Sequence, residues 1–197
     1  MSAPTTTPYV NRGQVERIFL TYKARIAAEN RMKRMAFWSQ VTIAWYSVWI
    51  ILVSLTEISG HYAVHDGDIV TTFFSISILT ASIFLYAQRY EIRGAGFREC
   101  YLRLRELYDS AGTTGDVLKA YNVLLQSYEN HSQSDYDEIL FTSWFSGKPL
   151  HDTNGEIPVP CGIIARHIVR WILRLVTFGV FLAVPILVFA YTVTSVK

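Results

Sequence analysis

Two histidines four residues apart, His61 and His65, are followed closely by Asp66 and Asp68. On a helix, such an i, i+4 pair can hold zinc. Here Gly60 and Gly67 frame a short loop, and no glutamate follows the first histidine as in a metalloprotease helix. The segment reads as a solvated polar loop. Cys100 stands between Glu99 and Tyr101 with no histidine nearby in sequence, the setting of a buried structural thiol. "RGAG" at residues 93–96 lacks the pattern of a phosphate-binding loop, and its glycines mark a bend or a close helix approach. No set of acid, base and nucleophile emerges. The reading is therefore a protein that is not an enzyme, with no catalytic residues, no cofactor and no metal.

A different chemistry is carried by hydroxyls. On a helical wheel Thr71, Ser75 and Ser82 share a narrow arc, and Ser39, Gln40, Ser47 and Ser54 gather on one side of an earlier segment. Such rows line weakly polar pores in oligomers. The commoner role of such residues is helix–helix packing, where small polar side chains allow close approach.

Those hydroxyls lie in stretches without any charged side chain. Residues 35–56, 69–88 and 175–196 contain no Asp, Glu, Lys or Arg. About 20 helical residues cross the roughly 30 Å hydrocarbon layer of a bilayer. All three stretches meet that length, and proline is tolerated in such a helix, so Pro185 does not exclude the third. Charged residues make up 17% of the 197 residues, below the roughly 25% of soluble domains. The expected fold class is all-α and integral to a membrane. It consists of a transmembrane helical hairpin, a small helical head and a third C-terminal transmembrane helix.

Charge sets the orientation. Residues 12–34 carry seven basic and two acidic side chains, directly against the first apolar stretch. The connection "EISGHYAVHDGD" carries no Lys or Arg, and Arg89, Arg93, Arg98, Arg103 and Arg105 follow the second stretch. Cytoplasmic flanks are enriched in Lys and Arg. The hairpin is thus expected with its N-terminus inside and its loop outside, so the "NHS" sequon at residues 130–132 lies on the cytoplasmic side, where it has no meaning. The third stretch, preceded by Arg166, Arg170 and Arg174, enters from the cytoplasm.

The expected organisation runs as follows: a disordered lead at 1–10; an amphipathic basic helix at 11–34; a hairpin at 35–88, with spans 35–56 and 69–88; a cytoplasmic helical head at 89–160; and a basic flank with a third span, 175–196, inside 161–197. In the first helix Val15, Ile18, Phe19, Tyr22 and Ile26 form a stripe, and Glu29 and Lys33 are spaced as an ion pair. That helix lies on the membrane surface or runs straight into the span. The stripe Phe97, Tyr101, Leu104 and Tyr108 suggests that the second span continues as a helix. A second head helix carries Val117, Tyr121, Leu124 and Tyr128. A third starts at Ser134, with Asp137 completing a capping box, and carries Tyr136, Ile139, Leu140 and Trp144. Residues 106–160 hold nine acidic residues and two lysines, which argues against direct nucleic-acid binding.

Two segments resemble the SLATT family, small bacterial membrane effectors of conflict systems. They are "TYKARIAAENR" ahead of the hairpin and "YENHSQSDYDE" late in the head. The positions that match are Thr21, Tyr22, Lys23, Ala24, Arg25, Glu29, Arg31, Asn130, His131, Asp135 and Tyr136. The likeness is greatest to the branch encoded beside reverse transcriptases. It implies an antiviral-defence effector in the bacterial inner membrane that oligomerises and permeabilises or depolarises the bilayer. An associated sensor or enzyme, such as a reverse transcriptase or a nucleotide-signal synthase, would trigger it. The alternative is a non-conducting membrane anchor that recruits a cytoplasmic enzyme through the acidic, tyrosine-rich head.

Overall fold

The computed structural model describes residues 12–58, 67–110, 117–152 and 155–194. The sequence-derived lead at 1–10, the loop with His61, His65 and Asp66, most of the "SAGTTGD" break and the last three residues lie outside them. The described chain is all-α apart from one short β pair. Its elements are α1 (Arg12–Ile58), α2 (Gly67–Ala87), α3 (Tyr90–Ser110), α4 (Val117–Ser127), α5 (Gln133–Phe145), β1 (His151–Asp152), β2 (Gly155–Glu156) and α6 (Cys161–Thr194). The strands pair antiparallel, His151 with Glu156.

Local chemistry accounts for the boundaries. No proline or glycine interrupts the sequence from Gln14 to Ile58, so nothing in it breaks α1. The second span and the next helix are not continuous, contrary to the sequence expectation. The chain turns at Gln88–Arg89, where Arg89 adopts a positive φ of 49° and its N–H donates to the Tyr86 carbonyl at 3.2 Å. The glycines of "RGAG" sit beyond this break, inside α3. α5 ends on Gly147 at φ 66°, whose N–H donates to the Trp144 carbonyl at 3.1 Å, the left-handed cap that glycine adopts without steric cost.

The start of α5 also differs from expectation. Ser132, not Ser134, precedes the helix, and Asp135 supplies the carboxylate that accepts the Ser132 N–H at 2.8 Å. Two Ser-x-x-Asp patterns overlap here, and the first wins because Asp137 is engaged elsewhere, 3.4 Å from Arg166.

The chain divides into two units, Met1–Lys33 with Glu91–His167, and Arg34–Tyr90 with Ile168–Lys197. The first has a core of Ile18, Cys100, Leu104, Val117 and Tyr121, bordered by Val15, Tyr22, Tyr108, Leu124 and Tyr128. The N-terminal part of α1 belongs to this core, and α1 runs unbroken from it into the first apolar stretch, one of the two courses read from sequence. Its buried face is Ile18, Thr21, Ala24, Arg25, Ala27, Ala28, Glu29 and Met32, displaced from the apolar stripe read from sequence. Small side chains let helices approach: a Cβ added at Gly94 of α3 would meet Met32 Cβ at 3.4 Å, while one at Gly96 meets nothing within 4 Å. Gly94→Leu is expected to lower stability by about 1–3 kcal/mol through overpacking. Gly96→Leu has no such effect, as thermal unfolding of the detergent-solubilised chain would show.

The second unit carries the long apolar helices. Three segments are long and apolar enough to cross a membrane, within Val15–Thr56, Asp68–Ser110 and Cys161–Ala190, and at most 6% of each most apolar window is buried. So much apolar surface cannot be left to water in a soluble monomer and requires lipid or other chains around it.

Candidate functional site

The two motif segments lie about a hundred positions apart in sequence, and the first unit brings them together. Thr21 turns its hydroxyl back to the Arg17 carbonyl at 2.8 Å and meets the Tyr121 hydroxyl of α4 at 2.9 Å. Tyr22 packs edge-on to Phe19 and tilted against Tyr108 of α3, with ring centroids 5.2 and 6.2 Å away. Lys23 lies over the Phe19 and Tyr22 rings. Ala24 is fully buried. Glu29 is buried and paired with Lys33 at 2.6 Å.

Arg31 and Asp135 form the strongest link. The guanidinium donates through Nε at 2.7 Å and Nη2 at 3.0 Å to the two carboxylate oxygens. This planar two-bond fork is the best geometry for such a pair. Burial pushes the Asp135 carboxyl upward, but the bonds from Arg31 and Ser132 outweigh it and hold its pKa below the usual range. The same carboxylate therefore caps α5 and fastens it to α1.

Arg25 is fully buried, one turn of α1 before Glu29. Its Nη2 reaches Asn130 Oδ1 at 3.5 Å and its plane lies over the Phe97 ring at 5.6 Å. His131 follows in the α4–α5 connection, half-buried. Burial first, and then the charge of Arg25, lowers its pKa, against the pull of Asp135. Tyr136 is half-buried in the first turns of α5.

Sequence reasoning placed Phe97 and Tyr121 in apolar stripes and Asp137 in a capping box, and it named none of these, nor Glu129, as a polar partner. Tyr121 receives Thr21. Phe97 receives Arg25. Glu129 accepts from Arg93 Nε at 2.9 Å, and this bond, against some burial, lowers its carboxyl pKa. Asp137, only 2% exposed at its side chain, pairs with Arg166. Glu129 and Asp137 both stand inside the quoted "YENHSQSDYDE", so their acidity was the available signal. Several acids of the head are thus spent on internal pairs rather than left as an acidic docking face.

In the second unit the hydroxyls occupy graded positions. Thr71 and Ser82 are half-buried at the rim of the packed face of α2, and Ser75 is exposed. Each hydroxyl donates within its own helix: Thr71 to Asp68 at 3.2 Å, Ser75 to Thr71 at 2.7 Å, Ser82 to Ile78 at 2.7 Å. On α1, Ser47 donates to Ile43 at 2.8 Å, and Ser47 and Ser54 are both half-buried. With their donors spent, the oxygens of Thr71, Ser75, Ser82 and Ser47 offer only acceptor lone pairs outward. A cleft among the three helices is lined by Tyr46, Trp49, Ile50 and Val53 of α1, by Val70, Thr71 and Phe74 of α2, and by Pro185 and Val188 of α6. Among the described residues, no cluster of His, Cys, Asp and Glu could hold a metal ion.

α6 meets α1 through Trp38–Phe178, Tyr46–Phe181 and Trp49–Phe189, at centroid distances of 4.9, 4.7 and 5.6 Å. Tyr46 Oη also donates to the Phe181 carbonyl at 3.0 Å. That carbonyl lies four residues before Pro185, which has no N–H to offer it.

A largely helical chain with three helices long and apolar enough to cross a membrane, together with a unit whose helices are joined by buried polar pairs, is a membrane protein by class. Residues 13–191 match the family described as SMODS and SLOG-associating 2TM effector domain family 5, and the chain belongs to that family. The match takes in most of α6, so in this member a third candidate span lies within the family region although the family description counts two. No curated protein and no solved structure matches the chain.

Proposed function

We propose that this protein is an effector of bacterial antiviral defence that self-associates and permeabilises the inner membrane when triggered. One observation carries the reading: α2 keeps its apolar surface unburied and holds hydroxyls at and beyond the rim of its packed face. One copy leaves that helix with few protein neighbours. Several copies related by rotational symmetry would surround a path lined by acceptor oxygens from Thr71, Ser75 and Ser82. The basic flanks support a cytoplasmic N-terminus and first unit. α1 contributes to both units, so a change in how the first unit packs is delivered along one helix to the first span. A trigger acts by binding the open packing preferentially. The family description names SMODS and SLOG partners, which supports a nucleotide-signal synthase or sensor as the source of the trigger. The likeness to the reverse-transcriptase branch supports such an enzyme as the other candidate.

The test is uptake of a membrane-impermeant dye by cells expressing the chain with its neighbouring genes. Ser75→Leu with Ser82→Leu is expected to reduce uptake at least tenfold at equal membrane abundance, because each change swaps an acceptor oxygen for a hydrocarbon wall. Intact membranes together with a co-purifying cytoplasmic enzyme would favour the anchor reading instead.

A further inference from the structure

The Arg25 guanidinium is fully buried, yet its Nε and Nη1 have no hydrogen-bond partner among the described residues. It reaches Asn130 only at the distance limit, 3.5 Å, and otherwise lies against the Cys100 thiol, a weak acceptor. A buried guanidinium with two N–H groups left unpartnered is costly for a core to hold. The neighbouring His131 repeats the pattern: its Nδ1 is buried and without a partner. The segment that carries His131 and meets Arg25 through Asn130, residues 128–132, is a non-helical connection in which Glu129 and Asn130 are exposed. It leads into the N-terminus of α5, where helix dipoles favour negative charge. Around it the arginines outnumber the acids: Arg25, Arg31 and Arg93 all act on Glu129, while Glu129 and Asp135 are the carboxylates that answer them.

We infer that Arg25, Asn130 and His131 form an anion site that takes a phosphate group, reached when the 128–132 connection lifts. Asn130 is the weak plug. A phosphate oxygen would accept the unused N–H groups of Arg25 and a proton from the His131 ring, removing the orphaned donors. A dianion suits the site because a protonated His131 together with Arg25 supplies two positive charges. Arg31 stays with Asp135, so the α1–α5 fastening persists while the site fills. This inference stands apart from the permeabilising reading and holds whether or not the chain conducts.

Two measurements on the full chain in detergent test it. Inorganic phosphate, against chloride at matched ionic strength, is expected to raise the thermal midpoint by a few degrees in a saturable way. Arg25→Gln loses that response. Because Arg25→Gln removes a buried group and could unfold the head, the second measurement uses the unmodified chain. The His131 ring protons, followed by NMR, titrate at higher pH when phosphate is present, since the anion reverses the field of Arg25 while Asp135 is unchanged. Glycerol 3-phosphate separates the sources: a response to inorganic phosphate alone assigns a free anion, and a larger response to the ester assigns an esterified phosphate. A thermal effect no greater than that of chloride, or a His131 titration that phosphate leaves in place, overturns the assignment.

Discussion

Asp135→Ala is expected to cost roughly 3–5 kcal/mol of stability, enough to unfold the first unit in most chains of this size. The carboxylate is fully buried, receives the Arg31 fork and caps α5 through the Ser132 N–H. Removing it strands Arg31, which is only 19% exposed, without its counter-charge. The double replacement Arg31→Leu with Asp135→Leu is expected to cost less than either single change, because no orphaned charge remains. The check is the unfolding midpoint of the purified chain in detergent, and a loss below about 0.5 kcal/mol for Asp135→Ala would remove the link from its structural role. Acid makes the same point with a definite sign. The folded pKa of Asp135 lies below its ordinary value. Its contribution is therefore fully present above the unfolded carboxyl pKa, about 3.9, and is lost as pH falls through the folded value. Asp135→Asn should flatten that part of the acid-unfolding profile.

That link also shows where the sequence was informative and where it was not. The three apolar rods were legible because a run of about 20 residues without charge has few meanings outside a bilayer. Helices α4 and α5 were legible from their periodicity, although α5 began two residues early, since two capping patterns overlap and only the tertiary engagement of Asp137 decides between them. The buried face of α1 was legible only in part, at Ile18 with Val15 and Tyr22 beside it, because much of the rest is Thr21, Ala24, Arg25, Ala28 and Glu29, whose small or polar side chains do not mark a core. The break at Arg89 left no local signature, since arginine has no preference for positive φ. The pairing of Arg31 with Asp135 spans over a hundred residues of chain, and a single sequence holds no trace of which acid answers which base.

Tyr46→Phe is the second large expected effect, and it concerns whether the last helix truly belongs with the hairpin. Pro185 removes the N–H that would bond the Phe181 carbonyl within α6, and the Tyr46 hydroxyl supplies the missing donor at 3.0 Å. In hydrocarbon there is no water to take over, so an abandoned carbonyl costs about 1–3 kcal/mol. Tyr46→Phe deletes one oxygen and keeps the ring against Phe181, so lost packing does not explain its effect. The decisive comparison restores the backbone donor. With Pro185→Ala, the residue 185 N–H can return to Phe181, and Tyr46→Phe becomes nearly neutral. The interaction energy from this double-mutant cycle is expected at about 1 kcal/mol or more. Measured as unfolding of the chain in detergent or bicelles, equal costs for Tyr46→Phe in both backgrounds would show that the hydroxyl does not serve the proline. A positive coupling would tie α6 to the first span by a specific bond. It would also fix α6 beside α1 through a bond that the ring packing of Tyr46 on Phe181 already positions.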